Sequence, residues 1–249
     1  MFATGCRSAV LLGVLGLIAP GAGAETPMHQ KKPVQLLSTV NAKYRMVQQD
    51  EEMGTESFER RTYDDNTVIY DVVGSARMAG ATYSYRSKLV VDEESYFPRS
   101  FRSDKTIAQP TDTMQIAFTV DLFSNVAVVG SEMRGRADAR RVVVPAGLPI
   151  VEVGAAYCWY QILFWTDRTT RDRQRFQWLD PQRIAVENGE IFRSGEETIV
   201  VLGKKTPVVV FKAERERLGA AVLYVDAAGR LVRCEQNVTV FELVEWTEK

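Results

Sequence analysis

Residues 114–120 read Met-Gln-Ile-Ala-Phe-Thr-Val, so that a large apolar side chain recurs at every second position. Successive side chains of a β-strand point to opposite faces, and the alternation therefore places Met114, Ile116, Phe118 and Val120 on one face of a predicted strand. The same period of two recurs along much of the chain. It predicts a fold built mainly of β-strands.

Short turn-forming stretches separate the predicted strands, at residues 64–66, 188–189, 203–205 and 226–229. Asn188-Gly189 tolerates the positive φ angles of a two-residue hairpin, so we expect a tight turn there. Ten or more short strands with tight links predict an antiparallel meander. We expect this sheet to curl into a half-barrel or an open barrel, because a wide flat sheet leaves exposed edges.

One nearly all-apolar stretch, residues 155–165, interrupts this pattern and follows the chain-breaking sequence Pro-Ala-Gly-Leu-Pro at 145–149. Periodicity does not separate a buried strand from a buried helix at this length. The aromatic residues favour a strand, whereas the length and the preceding breakers favour a short helix. A helix that is apolar all round must be enclosed, so we expect it to pack in the concave side of the sheet.

The first residues have the features of a secretory signal peptide. A basic residue precedes an apolar run at 9–19, and Ala-Gly-Ala at 22–24 is typical of a cleavage site. The run is too short to cross a bilayer, which takes about 20 apolar residues; the alternative is a short buried helix. We therefore expect a signal peptide at 1–24, a flexible leader at 25–38 and a single antiparallel β domain at 39–249. The mature protein is expected to have no integral membrane span and to be periplasmic or secreted by a bacterium.

Charge is nearly balanced, with 31 basic and 32 acidic residues and a net charge of −1. Such a balance provides no long-range attraction to nucleic acid or to an anionic membrane surface. We therefore expect no nucleic-acid partner.

Histidine content argues against several kinds of catalysis. The single histidine, His29, lies in the predicted leader, where the fold does not hold it beside a nucleophile as a Ser-His-Asp or Cys-His site requires. No metal-ligand spacing and no cofactor motif are present. Hydrolysis by carboxylate side chains alone needs no histidine or metal and so stays possible. However, the acidic runs at 92–94 and 196–197 are expected to be solvated charges in turns. The sequence thus predicts a protein that is not an enzyme and needs no cofactor.

Two cysteines, Cys158 and Cys234, follow the predicted cleavage site. In an oxidising compartment they could pair as a disulfide. Two separately buried thiols that behave as small apolar side chains are an equal alternative.

Aromatic side chains crowd the apolar stretch and an arginine-rich run follows it. The aromatics form either ordinary core or the lining of an apolar pocket. The arginines either pair with neighbouring acids or lie at the rim of a cavity and meet a ligand headgroup. The candidate ligand-binding residues are Tyr157, Trp159, Tyr160, Phe164, Trp165, Arg171, Arg173 and Arg175.

Three stretches, at 92–100, 142–145 and 223–233, carry a resemblance to a known group. The order of these features resembles exported bacterial proteins of unknown function whose sheet is similar to the curled half-barrel of outer-membrane lipoprotein carriers. This resemblance implies a concave sheet with a helix in its mouth and a lipid or other apolar ligand.

Three functions follow from these observations. The first is a periplasmic binding or carrier module for an apolar or amphiphilic ligand. The second is a cell-envelope interaction or assembly factor with a protein partner, and the third is a carboxylate-only hydrolase.

Overall fold

The computed structural model describes residues 34–249 except 124, 146, 153, 217 and 218, and the predicted signal peptide lies outside this range. The strands are β1 Leu36–Gln48, β2 Glu51–Tyr63, β3 Thr67–Met78, β4 Ala81–Asp92, β5 Pro98–Ala108, β6 Thr113–Phe123, β7 Val126–Met133, β8 Arg136–Val143, β9 Gln174–Asp180, β10 Ala185–Val201, β11 Lys204–Arg215, β12 Gly219–Asp226, β13 Leu231–Gln236 and β14 Thr239–Glu248. One helix, α1, spans Trp159–Trp165. Because β1 begins at Leu36, the last three residues of the predicted leader belong to a strand.

All fourteen strands belong to one antiparallel sheet, which confirms the predicted fold class. Its order is β8-β7-β6-β5-β4-β3-β2-β1-β14-β13-β12-β11-β10-β9. Two meanders therefore meet where β1 pairs with β14, and the two edges are β8 and β9. The sheet is not closed into a barrel, because within the described residues these edges do not pair with each other.

The crossover segment, which we define as residues 144–173, runs from one edge of the sheet to the other and carries α1. Tyr160 Oη in α1 lies 3.1 Å from Tyr44 Oη on β1 and accepts the backbone N–H of Leu231, at the start of β13, at 3.2 Å. Trp165 Nε1 donates to the carbonyl oxygen of Ser95, in the turn between β4 and β5, at 2.9 Å. A sheet that reaches one short helix from both halves must curve around it, so α1 lies on the concave side.

The apolar stretch forms a helix over only part of its predicted length. Residues 155–158 are turn-like, and α1 begins at Trp159. Trp159, Ile162 and Leu163 are buried, as enclosure requires, whereas Phe164 is 45% exposed. The prediction of a short enclosed helix is therefore confirmed, with a later start and a partly exposed last turn.

Alternation in the sequence matches the buried faces of the strands. Phe118 and Val120 are buried on β6, and Ile116 is partly buried beside them. The predicted turns at 64–66 and 226–229 are also confirmed: Asn66 has φ of 60° and Gly229 has φ of 80°.

The predicted hairpin turn at Asn188-Gly189 is wrong, because β10 continues through it. Gly189 pairs with Phe176 on one side and with Arg215 on the other. A Cβ atom at Gly189 would lie 2.8 Å from the Glu214 carbonyl oxygen and 2.8 Å from the Phe176 ring. Close packing within the sheet, rather than a turn, therefore explains this glycine.

Candidate functional site

A groove of about 1100 Å³ opens between the crossover segment and the edge of the sheet at β9. The crossover segment and α1 contribute Pro145, Gly147, Leu148, Pro149, Ile162, Trp165 and Thr166. The sheet contributes residues 174–177, 188–191 and 214–216, and Phe97 from the turn between β4 and β5 completes the lining. A groove of this size is large enough for a small or elongated organic ligand.

The apolar side of the groove is built from aromatic rings that remain partly accessible. Phe97 is 43% exposed and Trp165 is 36% exposed, and their rings meet edge to face with centroids 5.8 Å apart. Phe176 also lines the groove and is partly buried, and its ring centroid lies 5.3 Å from that of the buried Trp178. Partly accessible rings in one groove offer an apolar ligand a surface from which water can be displaced.

The polar side of the groove holds acids and two arginines of different character. Arg175 is largely exposed and lies 3.4 Å from Glu190. Arg215 is only 6% exposed, and its guanidinium carbon lies 5.4 Å from the centre of the Trp159 ring. Burial lowers the pKa of Arg215, and the nearby Asp180 carboxylate opposes that shift. The groove therefore combines an apolar wall with a charged one, as an amphiphilic ligand requires.

The structure separates the predicted site residues. Trp165 and Arg175 line the groove. Tyr157 and Trp159 are buried in the core, where they do not line it, and Tyr160 contributes its hydroxyl to the contacts with Tyr44 and Leu231.

The other three predicted residues do not line the groove. Phe164 stacks on Tyr96 with ring centroids 4.3 Å apart. Arg171 is exposed. Arg173 donates to Glu214 at 2.6 Å and lies 3.1 Å from Glu190, which agrees with the expectation that these arginines pair with neighbouring acids.

Sequence reasoning missed Phe97, Leu148, Phe176 and Arg215 as groove residues. Phe97 lies within a stretch that carried the family resemblance, and Leu148 within the chain-breaking sequence before the apolar stretch, but neither position showed a binding signal. The pairing of β9, β10 and β11 brings Phe176 and Arg215 to the groove, and no local pattern shows this.

Two buried acidic side chains, one on β2 and one in the crossover segment, were also missed. Glu56 accepts the backbone N–H groups of Ala156 at 3.1 Å and Tyr157 at 3.0 Å, and it accepts the Tyr85 hydroxyl. Burial raises the pKa of Glu56 to about 7, although these hydrogen bonds oppose the shift. The alternation of β2 could have revealed it, because position 56 shares a face with the buried Phe58.

Glu152 is the second buried carboxylate and is 2% exposed. It accepts the hydroxyls of Ser87 at 2.8 Å and Ser103 at 2.6 Å, and it pairs with Lys105 at 2.8 Å. Neither Glu152 nor Glu56 lines the groove. Their oxygens are occupied by protein donors, so the two acids anchor the crossover segment to the sheet.

Cys158 and Cys234 are both fully buried and are free thiols in this structure. Cys158 Sγ accepts the backbone N–H of Glu152 at 3.1 Å, and Cys234 Sγ lies 3.5 Å from Gln236 Nε2. Each thiol thus has its own partner, and the structure does not contain the disulfide that the sequence left open.

Over the described part of the chain, no helix is both long and apolar enough to cross a membrane. The same residues hold no group of three or more histidine, cysteine or acidic side chains placed to bind a metal ion.

Comparison with known proteins shows a similarity of fold. No family model matches the chain, and no curated protein matches it. The chain is similar to a crystal structure from Brucella abortus described as a beta-barrel-like protein of domain of unknown function DUF1849. The TM-score is 0.60 at 9% sequence identity, over 86% of this chain and 98% of the other. This chain therefore has a beta-barrel-like fold.

Proposed function

We propose that this protein is a non-catalytic binding or carrier module that holds an elongated apolar or amphiphilic ligand in the groove beside β9. The observation that carries this proposal is the set of three aromatic side chains, Phe97, Trp165 and Phe176, that line one groove. Burying the accessible part of such rings is favourable by roughly 25 cal/mol per Å² of apolar surface.

Support for a carrier role also comes from the shape of the sheet. A curved sheet with a helix on its concave side is what the resemblance to lipoprotein carriers implies, and the groove opens beside that helix. We also propose that the protein acts in the periplasm after cleavage following Ala24, as the pattern of residues 1–24 indicates. N-terminal sequencing of the exported protein should then begin at Glu25.

A titration with 1-anilinonaphthalene-8-sulfonate tests the binding proposal, because this probe joins an aromatic body to an anionic group. We expect saturable fluorescence enhancement with one probe bound per chain. Trp165→Ala should weaken binding about tenfold, because it removes one of the aromatic rings that line the groove.

Phe123→Ala is the matched control, since Phe123 is 64% exposed on β6 and does not line the groove. It should leave the affinity unchanged. Equal affinity for the wild type and Trp165→Ala, with near-ultraviolet circular dichroism showing both folded, would place the probe elsewhere and remove the proposal.

A further inference from the structure

The crossover segment pairs with the outer edge of β9 at one position. Leu179 donates its backbone N–H to the Pro149 carbonyl oxygen at 2.8 Å and accepts the Val151 N–H at 3.1 Å. These two bonds form a parallel bridge between Ile150 and Leu179. The crossover segment thus forms one bridge at the position where a fifteenth strand would pair with β9.

Backbone geometry shows which groups lie free along the same edge. In an antiparallel ladder, successive residues direct their N–H and C=O groups alternately to the two neighbouring strands. Because Leu179 faces the crossover segment, Gln177 and Arg175 must direct their backbone groups to that side too, while Phe176 and Trp178 bond to β10. Over the described residues, no backbone hydrogen bond reaches Gln177 or Arg175 from outside.

The crossover segment turns away from β9 where it could have continued the pairing. Gly147 has φ of 77°, which is left-handed backbone, and Pro145 and Pro149 have no N–H to donate. The groove lies in the resulting gap, with residues 145–149 on one side and 174–177 on the other. The free backbone groups of β9 therefore open onto the groove.

The opposite edge of the sheet has a different character. Seven of the eight residues of β8 are exposed, and four of them, Arg136, Asp138, Arg140 and Arg141, are charged. Charged side chains on an edge strand oppose pairing with another chain, and residues 174–177 of β9 include one, Arg175. Of the two edges of the described sheet, β9 lines the groove and β8 does not.

We propose that the occupant of the groove is an extended segment of a different protein, which pairs with β9 at Arg175 and Gln177 and continues the bridge begun at Leu179. This inference rests on the proposed function, since it names the ligand class of the same groove. At about 3.3 Å per residue, the edge from 174 to 177 accommodates three or four residues. Alternating apolar and polar side chains suit this partner, because one face of the added strand meets Trp165 and Phe176.

A fluorescein-labelled peptide of alternating valine and threonine, with a lysine at each end, tests the inference by fluorescence anisotropy. Two further peptides carry N-methyl groups on all valine amides or on all threonine amides. Only one of these sets can face β9, so we expect one peptide to bind at least tenfold more weakly and the other to bind almost as well as the parent. Hydrogen exchange at the Arg175 and Gln177 amides should slow when the parent peptide binds.

A pair of variants gives an independent readout. Gln177→Pro removes only an N–H that points away from β10, which an edge strand tolerates, and it should weaken peptide binding at least tenfold. Gln177→Ala removes the same side chain but keeps that N–H, so Gln177→Pro should bind the peptide at least tenfold more weakly than Gln177→Ala does.

Three outcomes would overturn the inference. Binding of the naphthalene probe without binding of the peptide would retain the groove as a site and reject a strand as its ligand. Loss of both would reject the proposed function as well. A dimer in sedimentation that Gln177→Pro dissociates would assign the edge to a second copy of this chain.

Discussion

Glu56 Oε1 accepts the backbone N–H of Tyr157 at 3.0 Å, which ties β2 to the turn before α1. The bond joins a buried acid to the crossover segment, which carries α1 on the concave side of the sheet. The position of α1, and with it one wall of the groove, therefore depends on a carboxylate that never contacts the groove.

The raised pKa of Glu56 predicts that stability falls as pH rises. Its folded-state pKa is about 7, against an ordinary value of 4.5, so between these values the folded protein binds more protons than the unfolded chain. The contribution is present at low pH and is lost as pH rises through 7. Urea unfolding should show a loss of about 2–3 kcal/mol from about pH 5 to about pH 8 that Glu56→Gln abolishes. An unchanged slope in the variant would contradict this assignment.

The buried ion pair between Lys105 and Glu152 predicts a large cost when one partner is removed. Lys105→Met leaves a 2% exposed carboxylate without its cation, so the free energy of unfolding should drop by about 3 kcal/mol. Lys105→Met combined with Glu152→Gln should recover most of that loss in a double-mutant cycle.

Arg102→Met, on the same strand, provides the matched control for that cycle. Arg102 and Asp104 form an exposed pair at 3.0 Å, and its removal should leave the free energy of unfolding nearly unchanged. An equal drop in the free energy of unfolding for Lys105→Met and Arg102→Met would show that the contact with Glu152 stabilises the fold no more than the exposed pair does.

The cysteines predict a clear result in thiol titration. Burial raises the pKa of Cys234 to about 12 and that of Cys158 well above its ordinary value. A thiol-reactive aromatic disulfide should therefore modify neither residue in the folded mature protein and both after unfolding in denaturant. Recovery of no thiol after unfolding, restored by a reductant, would establish a Cys158–Cys234 disulfide instead.

Gly147 predicts a change that reaches the groove wall. A Cβ atom there would lie 2.1 Å from the Phe97 ring, and φ is 77°. Gly80 has the same φ with nothing within 4 Å, so Gly80→Ala measures the backbone cost alone, about 1 kcal/mol. Gly147→Ala should cost more in urea unfolding and should shift the emission of Trp165, whose ring contacts Phe97. Indistinguishable behaviour of the two variants would count against this packing.

The strand pattern was predictable because it depends on neighbours along the chain. The alternation in β6 and the turn residues at 64–66 and 226–229 depend on residues that are neighbours in sequence. They do not depend on which strands pair or in what register. The turn predicted at Asn188-Gly189 was wrong because it was inferred from these two residues alone. The glycine is instead required by its close contacts with Glu214 and Phe176, which strand pairing brings next to it.

The groove was predictable only in part, for the same reason. Trp165 and Arg175 belong to a conspicuous run of aromatic and basic residues. Phe97, Phe176 and Arg215 come from separate elements that the sheet brings together. The acid at Glu56 was visible in principle, since period-two alternation puts it on the buried face of β2.

Pairing of β1 with β14 sets an order on folding. Each meander can form from neighbouring hairpins, but Val40 meets Glu248 only when the two distant ends of the domain come together. Contacts between residues so far apart along a chain are slow to form. Until they do, one edge of each central strand is unpaired and open to association with other chains, so refolding yield should be most sensitive to protein concentration at this joining step.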